Sequence, residues 1–198
     1  AIAPSFGGIN LEDIAAPICF EVEERLAEML PIPVFHDDQH GTAVVVLAAL
    51  FNALKVVGKK IEEVQIVING AGVAGIAITR FLYYAGARKI LLCDTRGIIC
   101  KDRKEHMNFA KKEVIRYLLP SKKGRLGDAM KKADVFIGVS GPDVVTEDMV
   151  KEMNSGSIVL AMSNPVPEIM PEKAKKAGAV VVGTGRSDMP NQINNLLA

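Results

Sequence analysis

Cysteine is scarce in this sequence: only Cys19, Cys93 and Cys100 occur, and no Cys-x-x-Cys pair is among them. An odd count without paired spacing gives no sign of a zinc site or of a disulfide framework. Cys93 lies in an apolar run and reads as a small core residue, and the set fits a reducing cytoplasm. Excess charge is also lacking. Against 24 Lys and Arg stand 23 Asp and Glu, a net charge of +1. That balance gives no reason to expect nucleic acid or an anionic membrane as partner. The basic pairs Lys59-Lys60, Lys111-Lys112, Lys122-Lys123 and Lys175-Lys176 are short and interrupted by acids, and they read as solvated faces. No basic region followed by an apolar stretch opens the chain, so no secretory leader is visible. The apolar run Ala43 to Leu50 is too short to span a bilayer, and Asn52 and Lys55 follow it. Ala1-Ile2-Ala3-Pro4 begins without an initiator methionine, and Asn194-Asn195-Leu196-Leu197-Ala198 ends without a helix stop. Both features lead us to expect a piece of a longer protein.

What is present is globular in character. Of 198 residues, 49% are hydrophobic and 24% charged, which suits one large domain or one domain plus a fragment. Ile18, Val22, Leu26, Met29 and Leu30 recur at helical spacing after Pro17, and Pro31 and Pro33 stop that helix. Val34-Phe35 reads as a short strand leading into His36-Asp37-Asp38-Gln39-His40-Gly41. Thr42 to Val57 is apolar nearly all round and predicts a buried helix ended by Gly58.

An alternation follows. Strands are expected at Val64 to Asn69, Lys89 to Asp94, Val135 to Ser140, Ser157 to Ser163 and Val180 to Gly183. Helices are expected at Val73 to Ala85, Glu105 to Leu119, Leu126 to Ala133, Thr146 to Met153 and Glu172 to Ala177. The strands are continuous apolar runs, as in a parallel sheet covered on both faces. Right-handed crossovers then imply an α/β fold, a Rossmann-like doubly wound parallel sheet over 41–198. It is preceded, over 1–40, by a segment outside that alternation.

Gly70, Gly72 and Gly75 form G-x-G-x-x-G directly after a strand and before a helix. The first permits a tight turn, the second lets the backbone approach a pyrophosphate, and the third lets helix and strand pack closely. The loop Gly70-Ala71-Gly72-Val73-Ala74-Gly75 would offer free N–H groups and a positive dipole end to phosphates. Asp94, 19 residues after Gly75 at the end of the next strand, would accept hydrogen bonds from the adenosine ribose. A carboxylate there favours NAD over NADP, although Arg96 or Lys101 could neutralise a ribose phosphate.

Two acid pairs stand apart: Glu12-Asp13 after Ile9-Asn10-Leu11, and Asp37-Asp38 after Val34-Phe35-His36. Carboxylates are hard ligands suited to Mg²⁺ or Mn²⁺. The spacing alone leaves other readings open. Asn10 could cap a helix that Glu12-Asp13 begins, and Asp37-Asp38 could make a turn. His36 and His40 flank the second pair but are read as packed or surface residues.

The stretches FGGINLEDI, FHDDQHGTA, INGAGVAG, SNPVPE and GTGRSDMPNQINN together resemble malic enzymes, in the family's order and over nearly the whole chain. The likeness is to the shorter bacterial and archaeal type, and it implies that residues 1–40 are the end of an N-terminal catalytic, metal-binding domain and 41–198 the NAD(P)-binding domain. It implies oxidative decarboxylation of L-malate to pyruvate and carbon dioxide, with NAD or NADP and Mg²⁺ or Mn²⁺. It places metal ligands at Glu12, Asp13 and Asp38, and at Asp37 the acid that supports the family's catalytic lysine. It places Asn164 and Asn194 near substrate and nicotinamide. The family's lysine base and tyrosine acid lie upstream of FGGINLEDI, and Tyr83, Tyr84 and Tyr117 match neither role. A homodimer or a dimer of dimers is the assembly the resemblance implies. Three rivals remain: malolactic conversion of malate to lactate with retained NAD, a metal-independent Rossmann dehydrogenase, and a non-catalytic dinucleotide-binding module.

Overall fold

Two short strands precede the glycine-rich region. β1 (Ile9–Leu11) and β2 (Val34–His36) pair in parallel with Leu11 beside His36. Three residues carry too little periodicity to announce a strand, so β1 is a finding of the structure. Asn10, weighed as a helix cap, lies inside it. This is a computed structural model, and it describes residues 2–120 and 123–198. Lys122 of the pair Lys122-Lys123 lies outside them. Between β1 and β2 runs α1 (Ile18–Met29), where the apolar spacing places it. Pro31 and Pro33 follow, and proline cannot supply the N–H that another helical turn needs.

After β2 the chain makes one π-helical turn over Asp37–Gly41 and continues as α2 (Thr42–Val57). Gly58, at φ 67°, closes α2 in the left-handed region, a conformation that costs glycine nothing. The expected all-round burial of α2 needs correction. Ala43, Val46, Leu50, Ala53 and Leu54 are buried, whereas Val44, Phe51 and Val56 are exposed. A helix in the outer layer of a layered domain meets the core with one face only. With the π turn, α2 makes a 21-residue helical stretch with an 18-residue window of mean hydropathy 1.7, long and apolar enough to cross a bilayer by length and composition. Its apolar inner face instead joins the core cluster with Ile66, Ile68 and Ile76.

The large sheet is built from β3 (Gln65–Asn69), β4 (Lys89–Asp94), β5 (Gly97–Ile98), β6 (Val135–Gly138), β7 (Ile158–Ala161) and β8 (Val181–Thr184). Their order is β5-β4-β3-β6-β7-β8. All neighbours are parallel except the short β5, which turns back on β4. The covering helices are α3 (Val73–Tyr84), α4 (Phe109–Val114), α5 (Leu126–Met130), α6 (Glu147–Lys151) and α7 (Pro171–Lys176). Alternate strand residues feed two cores. Ile66, Ile68, Val135 and Ile137 pack with α2 and α3. Val67, Phe136 and Val159 pack on the other face with Met130, Val150 and Ala174. Burial on both faces explains the unbroken apolar runs. Each such side chain contributes about 1.5–3 kcal/mol on leaving water.

The helix expected over Glu105 to Leu119 begins only at Phe109 and gives way after Val114 to a 3-10 turn at Ile115–Tyr117. His106 takes φ 55°, and the Asn108 side chain accepts the Lys111 N–H at 2.9 Å. That bond is an N-cap, which starts a helix rather than continuing one. Two of the basic pairs are not simply solvated. Lys59 Nζ donates to Asp134 Oδ1 at 2.8 Å and to the Ser155 carbonyl at 2.6 Å, and Lys111 is held by Asp94. Cys19, Cys93 and Cys100 are free and buried. Burial pushes the Cys93 thiol up to about 12.

Candidate active site

The parallel strands deliver their C-terminal ends to one edge of the sheet. β4 lies on one side of β3 and β6 on the other, so the order in which strands join the sheet reverses there. In such sheets the crevice at the reversal is where ligands bind. Gly70 lies at that point with φ 123°. A Cβ on Gly70 would overlap the Val139 carbonyl at the end of β6, and one on Gly75 would overlap the Gly70 carbonyl. Both glycines are therefore required by packing. Gly72 differs, because nothing lies within 4 Å of where its Cβ would be. It precedes α3, whose 12 residues open with Val73, Ala74 and Gly75. The first-turn N–H groups have no intrahelical partner, and the open space at Gly72 admits a pyrophosphate to them.

Asp94 ends β4 as expected, but its partners were not foreseen. Arg103 and Lys111 donate to Oδ2 at 2.7 and 2.6 Å, and the Arg96 N–H donates to Oδ1 at 2.8 Å. All three side chains of the ion pairs are largely buried. Burial alone would raise the Asp94 carboxyl, yet the Arg103, Lys111 and Arg96 hydrogen bonds outweigh it and hold the group at about 2. Arg96 thus reaches Asp94 through its backbone, and Lys101 is exposed. The residues sequence reasoning missed are Arg103 and Lys111. The only signal for Lys111 was its place beside a capped helix start.

The acid pairs meet because β1 and β2 are paired. Glu12-Asp13 and Asp37-Asp38 leave the same end of that two-stranded ladder. Asp38 Oδ2 accepts the Asp13 N–H at 2.9 Å. Asp37 accepts the side-chain amide of Asn195, and a Cβ on Gly41 would overlap the Asp37 carboxylate. The donor set is all hard oxygen, which suits Mg²⁺ or Mn²⁺. Among the described residues, no three His, Cys, Asp or Glu side chains already converge as a ready cation site. His40 is occupied elsewhere: its Nε2 lies 2.5 Å from Glu23 Oε1, while Gln39 donates to Glu23 Oε2 at 2.9 Å. His36 is buried with both ring nitrogens unpartnered.

Asn164, in the loop after β7, and Asn194, after β8, line one cavity of about 400 Å³ with Arg186, Asp188 and Gln192. The Asn194 amide donates to the Gly185 carbonyl at 3.4 Å and its oxygen accepts the Leu196 N–H at 2.9 Å. Its neighbour Asn195, not Asn194, reaches Asp37. Arg186 was also missed: it donates to the Pro165 carbonyl at 2.9 Å and pairs with both Asp188 oxygens.

A family model described as the NAD-binding domain of malic enzyme matches residues 39–196. The chain belongs to the malic enzyme family. It is 55% identical over its whole length to the bifunctional malic/malolactic enzyme of Bacillus subtilis, and covers 48% of that protein. It is 47% identical over 200 residues to an NADP-dependent malic enzyme of Escherichia coli, covering 26% of it. The crystal structure of an NAD-dependent malic enzyme from Thermotoga maritima superposes with a TM-score of 0.96 at 51% identity, over all of this chain and 53% of that one. The chain spans about half the length, or less, of the relatives it matches. Membership accounts for the glycine loop at the sheet reversal and the doubly wound α/β fold. Malic enzymes named for either dinucleotide are among the relatives.

Proposed function

We propose that this chain supplies the dinucleotide site and part of the metal site for oxidative decarboxylation of L-malate to pyruvate and carbon dioxide, with reduction of NAD(P). The carrying observation is that the glycine loop after β3 and the cavity of Asn164 and Asn194 after β7 and β8 lie at the same edge of one parallel sheet, with the acid turn tied through Asp37 to Asn195, between the cavity residues Asn194 and Leu196. In this reading residues 1–40 belong to the substrate and metal domain and 41–198 to the dinucleotide domain.

Each group has a task. The N–H groups of the glycine loop neutralise the pyrophosphate, and Asp94 accepts from the adenosine ribose through its less occupied Oδ1. The Asn164 and Asn194 amides, which line one cavity, would orient malate and the nicotinamide for hydride transfer, a step that needs its reacting atoms pre-positioned. Glu12, Asp13 and Asp38 would hold the cation, and Asp37 keeps the turn beside them in place. A bound Mg²⁺ or Mn²⁺ supplies Lewis acidity towards the malate oxygens. A nicotinamide bound there would accept the carbinol hydride; the hydroxyl proton would leave with a base, and the electron pair of the C–C bond to the distal carboxylate would pass to the adjacent carbon, which takes up a proton to give pyruvate as carbon dioxide departs. Tyr83, Tyr84 and Tyr117 stack on one another away from the cavity and take no part.

NAD is the favoured cofactor, because a carboxylate stands where a ribose phosphate would lie. Arg103 and Lys111 together outweigh that single negative charge, so NADP is admitted as a slower alternative. Malolactic chemistry is the second reading, favoured by the name of the Bacillus relative.

The test is a spectrophotometric assay of the full-length protein with L-malate and Mn²⁺, using NAD or NADP, with and without chelator. Chelator-sensitive cofactor reduction with pyruvate as product is the expected result. Lactate without net reduction would replace it with the malolactic reading. Turnover indifferent to chelator would remove the carboxylates from the site.

A further inference from the structure

Glu168 is fully buried, and no role in the proposed reaction accounts for a carboxylate there. Its Oε1 accepts the Ser140 N–H at 2.9 Å and the Ser140 hydroxyl at 3.3 Å, and its Oε2 accepts the Ser163 N–H at 3.0 Å. The Ser140 hydroxyl in turn accepts the side-chain amide of Asn69 at 2.8 Å. Asn69 immediately precedes Gly70 of the glycine loop, Ser140 follows β6, and Ser163 immediately precedes Asn164 after β7. One carboxylate thus joins the loops that leave the adjacent strands β6 and β7, and it reaches the end of β3 only through the Ser140 hydroxyl. The fit is tight, for a Cβ on Gly138 would overlap the Glu168 carboxylate. The backbone is secured as well, since the Glu168 carbonyl accepts the Val145 N–H at 3.0 Å. Burial pushes the Glu168 carboxyl above its ordinary range, and the Ser140 and Ser163 N–H groups pull against that rise.

We propose that Glu168 is a positioning residue for the nicotinamide end of the dinucleotide, holding the loops after β6 and β7 in one arrangement and so setting Asn164. This rests on the reading of the crevice as the dinucleotide site. The chemistry requires a carboxylate specifically. Two N–H groups from two different loops need two acceptor oxygens. A glutamine of the same shape offers one oxygen and turns its own N–H groups on the other donor, and an unsatisfied buried donor is costly. A side chain that merely filled space would be replaced by glutamine without effect.

The adenosine half of the cofactor meets the glycine loop and Asp94, whereas the nicotinamide half reaches the loops after β6 and β7. The experiment measures binding of ADP-ribose and of the whole reduced dinucleotide to the full-length protein and to Glu168→Gln. ADP-ribose affinity should stay within about twofold, while affinity for the reduced dinucleotide should fall about tenfold. Equal loss of both, or loss of neither, overturns the proposal. Should Glu168→Gln not fold, Ser140→Ala is judged by the same comparison, with a smaller split expected in the same direction. A split between wild type and Glu168→Gln in a protein that does not consume malate would count against the proposed reaction and leave the positioning role standing.

Discussion

The side-chain amide of Asn195 donates to the carboxylate of Asp37, 158 residues earlier in the chain. It fastens the 3-10 turn at Asn195–Leu197 to the π turn that opens α2. The bond engages a charged acceptor, so Asn195→Ala should lower the unfolding free energy of the full-length protein by about 1.5–3 kcal/mol. Asn195→Asp sets two carboxylates together and should cost more. Urea unfolding checks both, and an Asn195→Ala curve superimposed on the wild type would show that the contact does not bind the two segments.

The glycines of the dinucleotide loop separate into packing and approach. Gly75→Ala drives a methyl into the Gly70 carbonyl and should cost several kcal/mol, as overpacking commonly costs about 1–3 kcal/mol even without a backbone clash. Gly72→Ala meets open space and should leave the melting temperature within about 2 °C, since exposed substitutions cost little. Its affinity for dinucleotide should nonetheless fall at least about tenfold, because the methyl occupies the path of the pyrophosphate. Melting and dinucleotide titration on the same samples decide the matter. Unaltered affinity would mean that the pyrophosphate does not pass over Gly72.

Lys111 and Arg103 share one oxygen of Asp94. Lys111→Gln removes one of two positive charges and should lower kcat/KM with NADP about tenfold relative to NAD. An unchanged ratio would place the ribose phosphate elsewhere.

The same ion pairs carry a pH signature. The folded-state carboxyl lies at about 2, below its ordinary value of 3.8. Its stabilisation is therefore complete above about pH 4 and is lost as pH falls towards 2. The stability difference between wild type and Asp94→Asn should shrink across that window and stay constant above it. Denaturant unfolding at pH 6 and pH 3 measures the change, and a difference growing on acidification would reverse the assignment.

Asp38→Asn leaves a side chain that can still accept the Asp13 N–H but lacks the charge a hard cation needs. Mn²⁺-dependent turnover should fall by at least about a hundredfold, while dinucleotide affinity changes less than about twofold. Parallel loss of both would show that the two sites are not separate.

Several of these relationships were legible in the residues alone. Strand, glycine turn, helix, strand and Asp94 form a local series, and each step follows from neighbouring side chains: unbroken apolar runs, glycines at fixed offsets, an acid at a strand end. The helix over Thr42 to Val57 and its stop at Gly58 are local in the same way. Tertiary structure alone decided the rest. It placed Arg103 and Lys111 on Asp94 and left Arg96 with only a backbone contact. It joined Asn195 to Asp37, and it revealed Glu168 between the loops after β6 and β7. It also exposed one side of α2 and paired β1 with β2, bringing the acid pairs to one place. The physical reason is range. A turn or cap is set within a few residues by dihedral preference and one hydrogen bond. A contact between strand-end loops depends on sheet order, crossover length and the packing of both cores, which no short window of sequence contains.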